Sequence, residues 1–214
     1  MFGIQSIDDF IAELSAVSDA GRLIVNPYQH EKCRVNLERY LLNLQREGPD
    51  IMLIGEAPGY RGCALTGIPF TDEVQLKLPE NYYALGDWQR DNDTGDTSER
   101  SATAVWRELR RYRIIPLIWN VFPFHPYKEG KEHSNRTPTQ SEIREGIKYI
   151  EMLISIFSIQ ESKIFAIGKK AQTALDFIDN DHVIRHPAYD LKREFPEQFS
   201  SKIGALFLDR VLPS

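Results

Sequence analysis

Asp50-Ile51-Met52-Leu53-Ile54-Gly55 is one acid, four consecutive apolar residues and a glycine. A run this short, without alternation, suits a strand buried on both faces, as in a parallel sheet covered by helices on each side. Two similar runs recur downstream. One spans 114–121 and is entered through Pro116; the other is Lys163-Ile164-Phe165-Ala166-Ile167, closed by Gly168. A weaker fourth strand is expected at 182–185. Helical spacing fills the intervals. Ser6 with Asp8 and Asp9 caps a first helix through Phe10, Leu14 and Val17, and a second amphipathic helix covers 29–46. Thr139, with Glu142 three residues on, opens a helix over 139–158. Further helices are expected at 169–178 and, at the end, over 190–212, while 21–28 reads as a loop. Strands alternating with helices of this length predict a three-layer α/β/α sandwich around a central, mainly parallel sheet of about four strands.

The length of 214 residues suits one domain over 1–214. The segment 71–100 breaks the rhythm: it is long, polar, acidic from Glu80 to Glu99, and carries Tyr82, Tyr83 and Trp88. It reads as an insertion over the functional site, since long loops in compact domains are usually functional. A hydrophobic fraction of 42% supports a sizeable core and excludes a disordered chain. No apolar run approaches the roughly 18 residues of a membrane span, and no apolar h-region follows the start, so a cytoplasmic protein without membrane association is expected. Cys33 and Cys63 alone make neither a disulfide framework nor a four-thiolate site, and no cofactor or metal is expected. A net charge of −5 counts against a nucleic-acid partner. Local charge runs the other way, with Arg107, Arg110, Arg111 and Arg113 close together, Lys169 and Lys170 at a helix start, and Arg185, Lys192 and Arg193 near the C-terminus. Oligomeric state is not legible, and a monomer is favoured.

Ligands of parallel sheets sit beyond the carboxyl ends of the strands. Three features lie there. After the first strand comes Gly55-Glu56-Ala57-Pro58-Gly59, running on to Gly67-Ile68-Pro69-Phe70; after the second comes Asn120; after the fourth comes His186-Pro187-Ala188-Tyr189. Each is common by itself. Phe70 also fits a core aromatic, Asn120 a strand-end hydrogen bond, His186 a turn histidine and Glu56 a solvated acid. Together, in this order, they are specific.

The chain resembles the uracil-DNA glycosylase superfamily, and its Gly-Glu-Ala-Pro-Gly turn with a downstream Gly-x-Pro-Phe looks most like the family-4 enzymes. The resemblance covers about 50–70, 114–140 and 162–189. It implies hydrolysis of the N-glycosidic bond of uracil or a related deaminated base in DNA, extruded from the duplex into a pocket. On that resemblance Glu56 and His186 are the catalytic candidates, Gly55, Ala57, Phe70 and Asn120 bind the base, and Lys169, Arg185, Pro187 and Ala188 contact DNA. Phe70 would stack on the base and Asn120 would pair with N3–H and O4. His186 would hydrogen-bond O2 as charge develops there, and Glu56 would balance the cationic sugar or orient water. His125 and His133 read as surface or phosphate-proximal residues.

The departures from the family are as plain. The four cluster-holding cysteines of family 4 are reduced to two, and its acids after the turn are replaced by Tyr60-Arg61-Gly62-Cys63. Ala57 stands where the best-known members carry a water-positioning Asp, and Gly59 where they carry a Tyr that excludes thymine. His-Pro-Ala replaces His-Pro-Ser. Two other functions fit the same residues: a catalytically weak or silent DNA- or nucleobase-binding module, and a hydrolase or transferase of free nucleosides.

Overall fold

The computed structural model describes residues 6–78, 97–175, 178–188 and 193–210. Along the chain run α1 (Ile7–Ala16), β1 (Ile24–Val25), α2 (Glu31–Glu47), β2 (Ile51–Gly55), α3 (Cys63–Thr66), α4 (Glu73–Lys77) and α5 (Arg100–Tyr112). They are followed by β3 (Pro116–Asn120), β4 (His125–Pro126), α6 (Gln140–Phe157), β5 (Ile164–Ile167), α7 (Lys169–Thr173), β6 (Val183–Ile184) and α8 (Glu194–Lys202). A four-stranded sheet has the order β3-β2-β5-β6 with every neighbouring pair parallel. The first apolar run is thus a central strand. All five residues of β2 are buried, as a strand covered on both faces requires. Pro116 is tolerated because it opens β3, an edge strand of this sheet.

Helices α1, α2 and α6 pack together, α5 and α8 pack together, and the sheet is flanked by the two groups. The first group is bolted to β3 through polar as well as apolar contacts. Tyr40 of α2 donates from its hydroxyl to Pro116 O at 3.1 Å and accepts from Ile118 N at 2.6 Å. Phe10 of α1 meets Trp119 of β3 and Tyr149 of α6 edge-on, with ring centroids 5.2 and 6.0 Å apart. The capping box foreseen at Thr139 with Glu142 is present, and the capped start at Ser6 is a box as well, closed by Asp9. Among the described residues no helix is long and apolar enough to cross a membrane.

Several details differ from the expectation. The stretch read as a loop over 21–28 contains β1, which pairs antiparallel with β4. The helix expected over 169–178 stops at Thr173, and the C-terminal region is α8 followed by a 3-10 segment, Gly204–Arg210. The helix α5 went unassigned because its arginines dominate the composition. Its apolar positions Ala102, Val105, Trp106 and Leu109 nevertheless follow helical spacing and are buried. Within 71–100, α4 and the start of α5 are described, whereas Tyr82, Tyr83 and Trp88 lie outside the described residues.

One close contact ties a helix to the rim of the sheet. A Cβ on Gly146 of α6 would overlap the carbonyl oxygen of Val121, the residue after β3. Backbone cannot yield as a flexible side-chain tip can, so Gly146→Ala is expected to destabilise the fold by about 1–3 kcal/mol, the usual cost of overpacking. Urea unfolding would measure it, and an unchanged midpoint would show that α6 does not touch this loop.

Candidate active site

The three loops identified in the sequence meet beyond the carboxyl ends of the strands. Val121 N donates to Gly55 O at 2.8 Å and Phe122 N to Glu56 O at 3.1 Å, so the ladder between β2 and β3 continues past the strand ends. The Pro58 carbonyl is met by His125 Nδ1 at 2.8 Å. His125 is only 2% exposed, which corrects its reading as a surface residue: it braces the turn from below. His133 is exposed.

Phe70 is delivered by a turn of unusual geometry. Gly67 adopts φ +78 and Phe70 itself φ +50, a region that non-glycine residues rarely occupy. Side-chain and main-chain bonds hold it there. Thr66 Oγ1 donates to Thr71 O at 2.8 Å, and the indole of the buried Trp106 donates to Phe70 O at 3.0 Å. Glycine is required at 55 for the same reason, since a Cβ there would collide with the Phe70 ring and lie 2.7 Å from Asn120 Oδ1.

Phe70 and Asn120 line one cavity of about 240 Å3, together with Glu56, Ala57, Pro58, Gly59, Cys63, Glu99, Ser101, Asn135, Arg136, His186 and Ala188, whereas Gly55 lies behind that wall. Asn120 ends β3 opposite Gly55 and is 2% exposed, yet its carboxamide hydrogen-bonds no described residue. The Phe70 and His186 rings lie 6.1 Å apart, tilted by 46°. Ala188 N donates to His186 Nδ1 at 3.1 Å, so the neutral ring carries its proton on Nε2. Burial first, and the Lys170 charge second, push the His186 imidazole down to about 4. It is therefore neutral at pH 7.

Glu56 accepts from Lys170 Nζ at 3.4 Å, and the same ammonium donates to Thr137 Oγ1 at 2.6 Å. Of the residues assigned to DNA contact, Ala188 lines the cavity and Lys169 an adjoining hollow with Gly168 and Lys170. Arg185 is directed elsewhere, to Glu194 of α8 at 2.5 Å, and Pro187 is buried outside the cavity wall. Cys63 is a buried wall residue whose thiol is pushed well above its usual range by burial, so it is no nucleophile. Among the residues that escaped the sequence reading are Ser101, Asn135 and Arg136, and also Lys170 and Glu99. Lys170 was visible only as one of a lysine pair, and Glu99 as the last acid of a polar insertion.

A parallel sheet with this cavity at its carboxyl end can be set beside known proteins. The chain matches the Uracil DNA glycosylase superfamily over residues 43–206. It belongs to the uracil-DNA glycosylase superfamily. Among solved structures, wild-type SMUG2 from Pedobacter heparinus is similar to it, with a TM-score of 0.65 and 18% identity. The match covers 94% of this chain and 97% of that one. At that identity the likeness is one of fold. No curated protein sequence matches the chain.

In this superfamily member a neutral histidine thus lies beside the Phe70 ring. By NMR the His186 Cε1–H resonance is expected to titrate with a midpoint near 4, and Lys170→Met should raise it. A midpoint close to the ordinary 6.5 would mean that the ring is solvated and charged in mild acid.

Proposed function

We propose that this protein is a monofunctional DNA glycosylase that hydrolyses the N-glycosidic bond of uracil, or of a related deaminated base, in DNA. The observation that carries the reading is the Asn120 carboxamide. It is 2% exposed, it hydrogen-bonds no described residue, and it lines a cavity it shares with Phe70 and His186. Its amide atoms open onto that cavity, where a donor and an acceptor side by side match a ligand with the complementary pair. N3–H and O4 of uracil are such a pair, and cytosine presents the reverse.

The rest of the wall then takes roles. Phe70 stacks on the extruded base. As the bond from the sugar to N1 breaks, negative charge spreads onto O2, and His186 donates a hydrogen bond to it from Nε2 without needing to be cationic. Positive charge on the sugar is offset by Glu56, which Lys170 orients. Water adds its hydroxyl to C1′, the base leaves with the proton, and an abasic site remains. Lys169 and the main chain at Ala188 lie where the phosphates flanking an extruded nucleotide would pass, a local basic edge on a chain of net charge −5.

Ala57 favours a second reading. It lines the cavity at the position where the best-known members of the superfamily carry a water-positioning Asp, which suits a module that binds DNA or a nucleobase without turnover.

A nicking assay on uracil-containing single- and double-stranded oligonucleotides separates the two. The wild type should generate abasic sites, and His186→Ala should slow single-turnover release by about 100- to 1,000-fold, the usual cost of losing an oxyanion donor. Salt-sensitive DNA retention with no abasic product from any deaminated base would overturn the enzymatic reading in favour of the binding module.

A further inference from the structure

The cavity contains a carboxyl group that comes from none of the strand-end loops. Glu99 directly precedes α5, and its main-chain N–H donates to the buried Asp72 Oδ2 at 2.6 Å. From this anchor its side chain reaches back over the turn that follows β2. A Cβ on Gly59 would lie 2.9 Å from Glu99 Oε1, and one on Gly62 would overlap Oε2. The carboxyl thus occupies the room that side chains at 59 and 62 would use. It makes no side-chain capping bond to α5, and no described residue hydrogen-bonds it. Nothing in the fold accounts for holding an acid in that position.

Topology identifies which edge of a bound base it would meet. His186 follows β6, at one edge of the sheet, and stands against Gly168. Glu99 reaches in from the start of α5 over the turn that follows β2, the strand paired with β3. In the pose derived above, N1 leads to the sugar at the mouth, O2 meets His186, and N3–H with O4 meets Asn120. What is left of the ring perimeter is C5 and C6. Of the rest of the wall, Asn135 accepts from Tyr60 N and Arg136 is paired with Glu142, which leaves the turn at Gly59, Cys63, Ser101 and the Glu99 carboxyl.

Building on the glycosylase reading, we propose that Glu99 is the specificity-determining residue for position 5 of the base, excluding thymine by filling the space its methyl group would need. A hydrogen at C5 leaves the carboxyl its room. A methyl would press on the carboxyl and strip water from it while offering no hydrogen bond in return, which is unfavourable for either protonation state. A 5-hydroxymethyl group could donate to it instead. Burial, and then the Asp72 charge, raise the Glu99 carboxyl to about 7, so both states are populated at neutrality. Neither welcomes a methyl.

The test compares wild type, Glu99→Ala and Glu99→Gln on oligonucleotides carrying uracil, thymine or 5-hydroxymethyluracil, by single-turnover base release and by competition of the free bases for the cavity. Glu99→Ala should raise the thymine-to-uracil ratio about tenfold or more, the scale on which a pocket discriminates one methyl group. Glu99→Gln, which keeps the volume, should go on rejecting thymine. Thymine rejected by Glu99→Ala as strongly as by wild type, in release and in competition, overturns the assignment while leaving the glycosylase reading intact. A wild type that releases no base but binds uracil over thymine, with Glu99→Ala losing that preference, overturns the enzymatic reading and supports the role of Glu99. Thermal unfolding of each variant checks that the fold is kept.

Discussion

A side chain at residue 55 would have nowhere to go. The Phe70 ring and the Asn120 carboxamide both rest against the Gly55 Cα, at the end of a strand paired on each side. That contact lets two groups from segments 50 residues apart in the chain come close enough to line one cavity. It also explains why the floor of the cavity is rigid. β2 is wholly buried, β3 is clamped to α2 through Tyr40, and the ladder extends into the turn through Val121 and Phe122. Preorganisation of this kind lowers the entropic cost of orienting a base.

The electrostatics of the site follow from how much water each group has lost. His186 and Glu99 both sit where ionisation is disfavoured, and both shift toward their neutral forms. Glu56 keeps an ammonium beside it. One cavity therefore holds an uncharged donor, a paired anion and an acid near its midpoint at neutral pH. That division of labour arises from burial and neighbours, not from residue type, since two of the three groups are glutamates.

Much of this was legible from one strand outward. The unbroken apolar run at 51–54 and the glycine after it located the central strand, and two runs of like character located its neighbours. Asn120, Phe70 and His186 were readable because strand ends are where a parallel sheet keeps its chemistry. What stayed hidden depends on partners distant in sequence. His125 braces Pro58 across 67 residues, and nothing in the Phe-His-Pro string announces that. Lys170 matters because Glu56 lies near it, a pairing over 114 residues. Glu99 was read only as the last acid of a polar insertion over the site, because only the fold reveals that two glycines leave room for it. Nor does the nearness of Arg185 to the His-Pro pair announce the ion pair it makes with Glu194.

Helix α5 supports the cavity at two points. Trp106 secures the backbone of Phe70 in its left-handed conformation, and Glu99, one residue before the helix, supplies part of the opposite wall. The stacking surface and that wall are therefore borne by a single rigid rod, and a slight rotation or slide of it displaces both. Substitutions on the buried side of α5 will accordingly be epistatic with substitutions at Phe70 and at Glu99. Their energies will not add, although neither residue is a neighbour of the other in the chain.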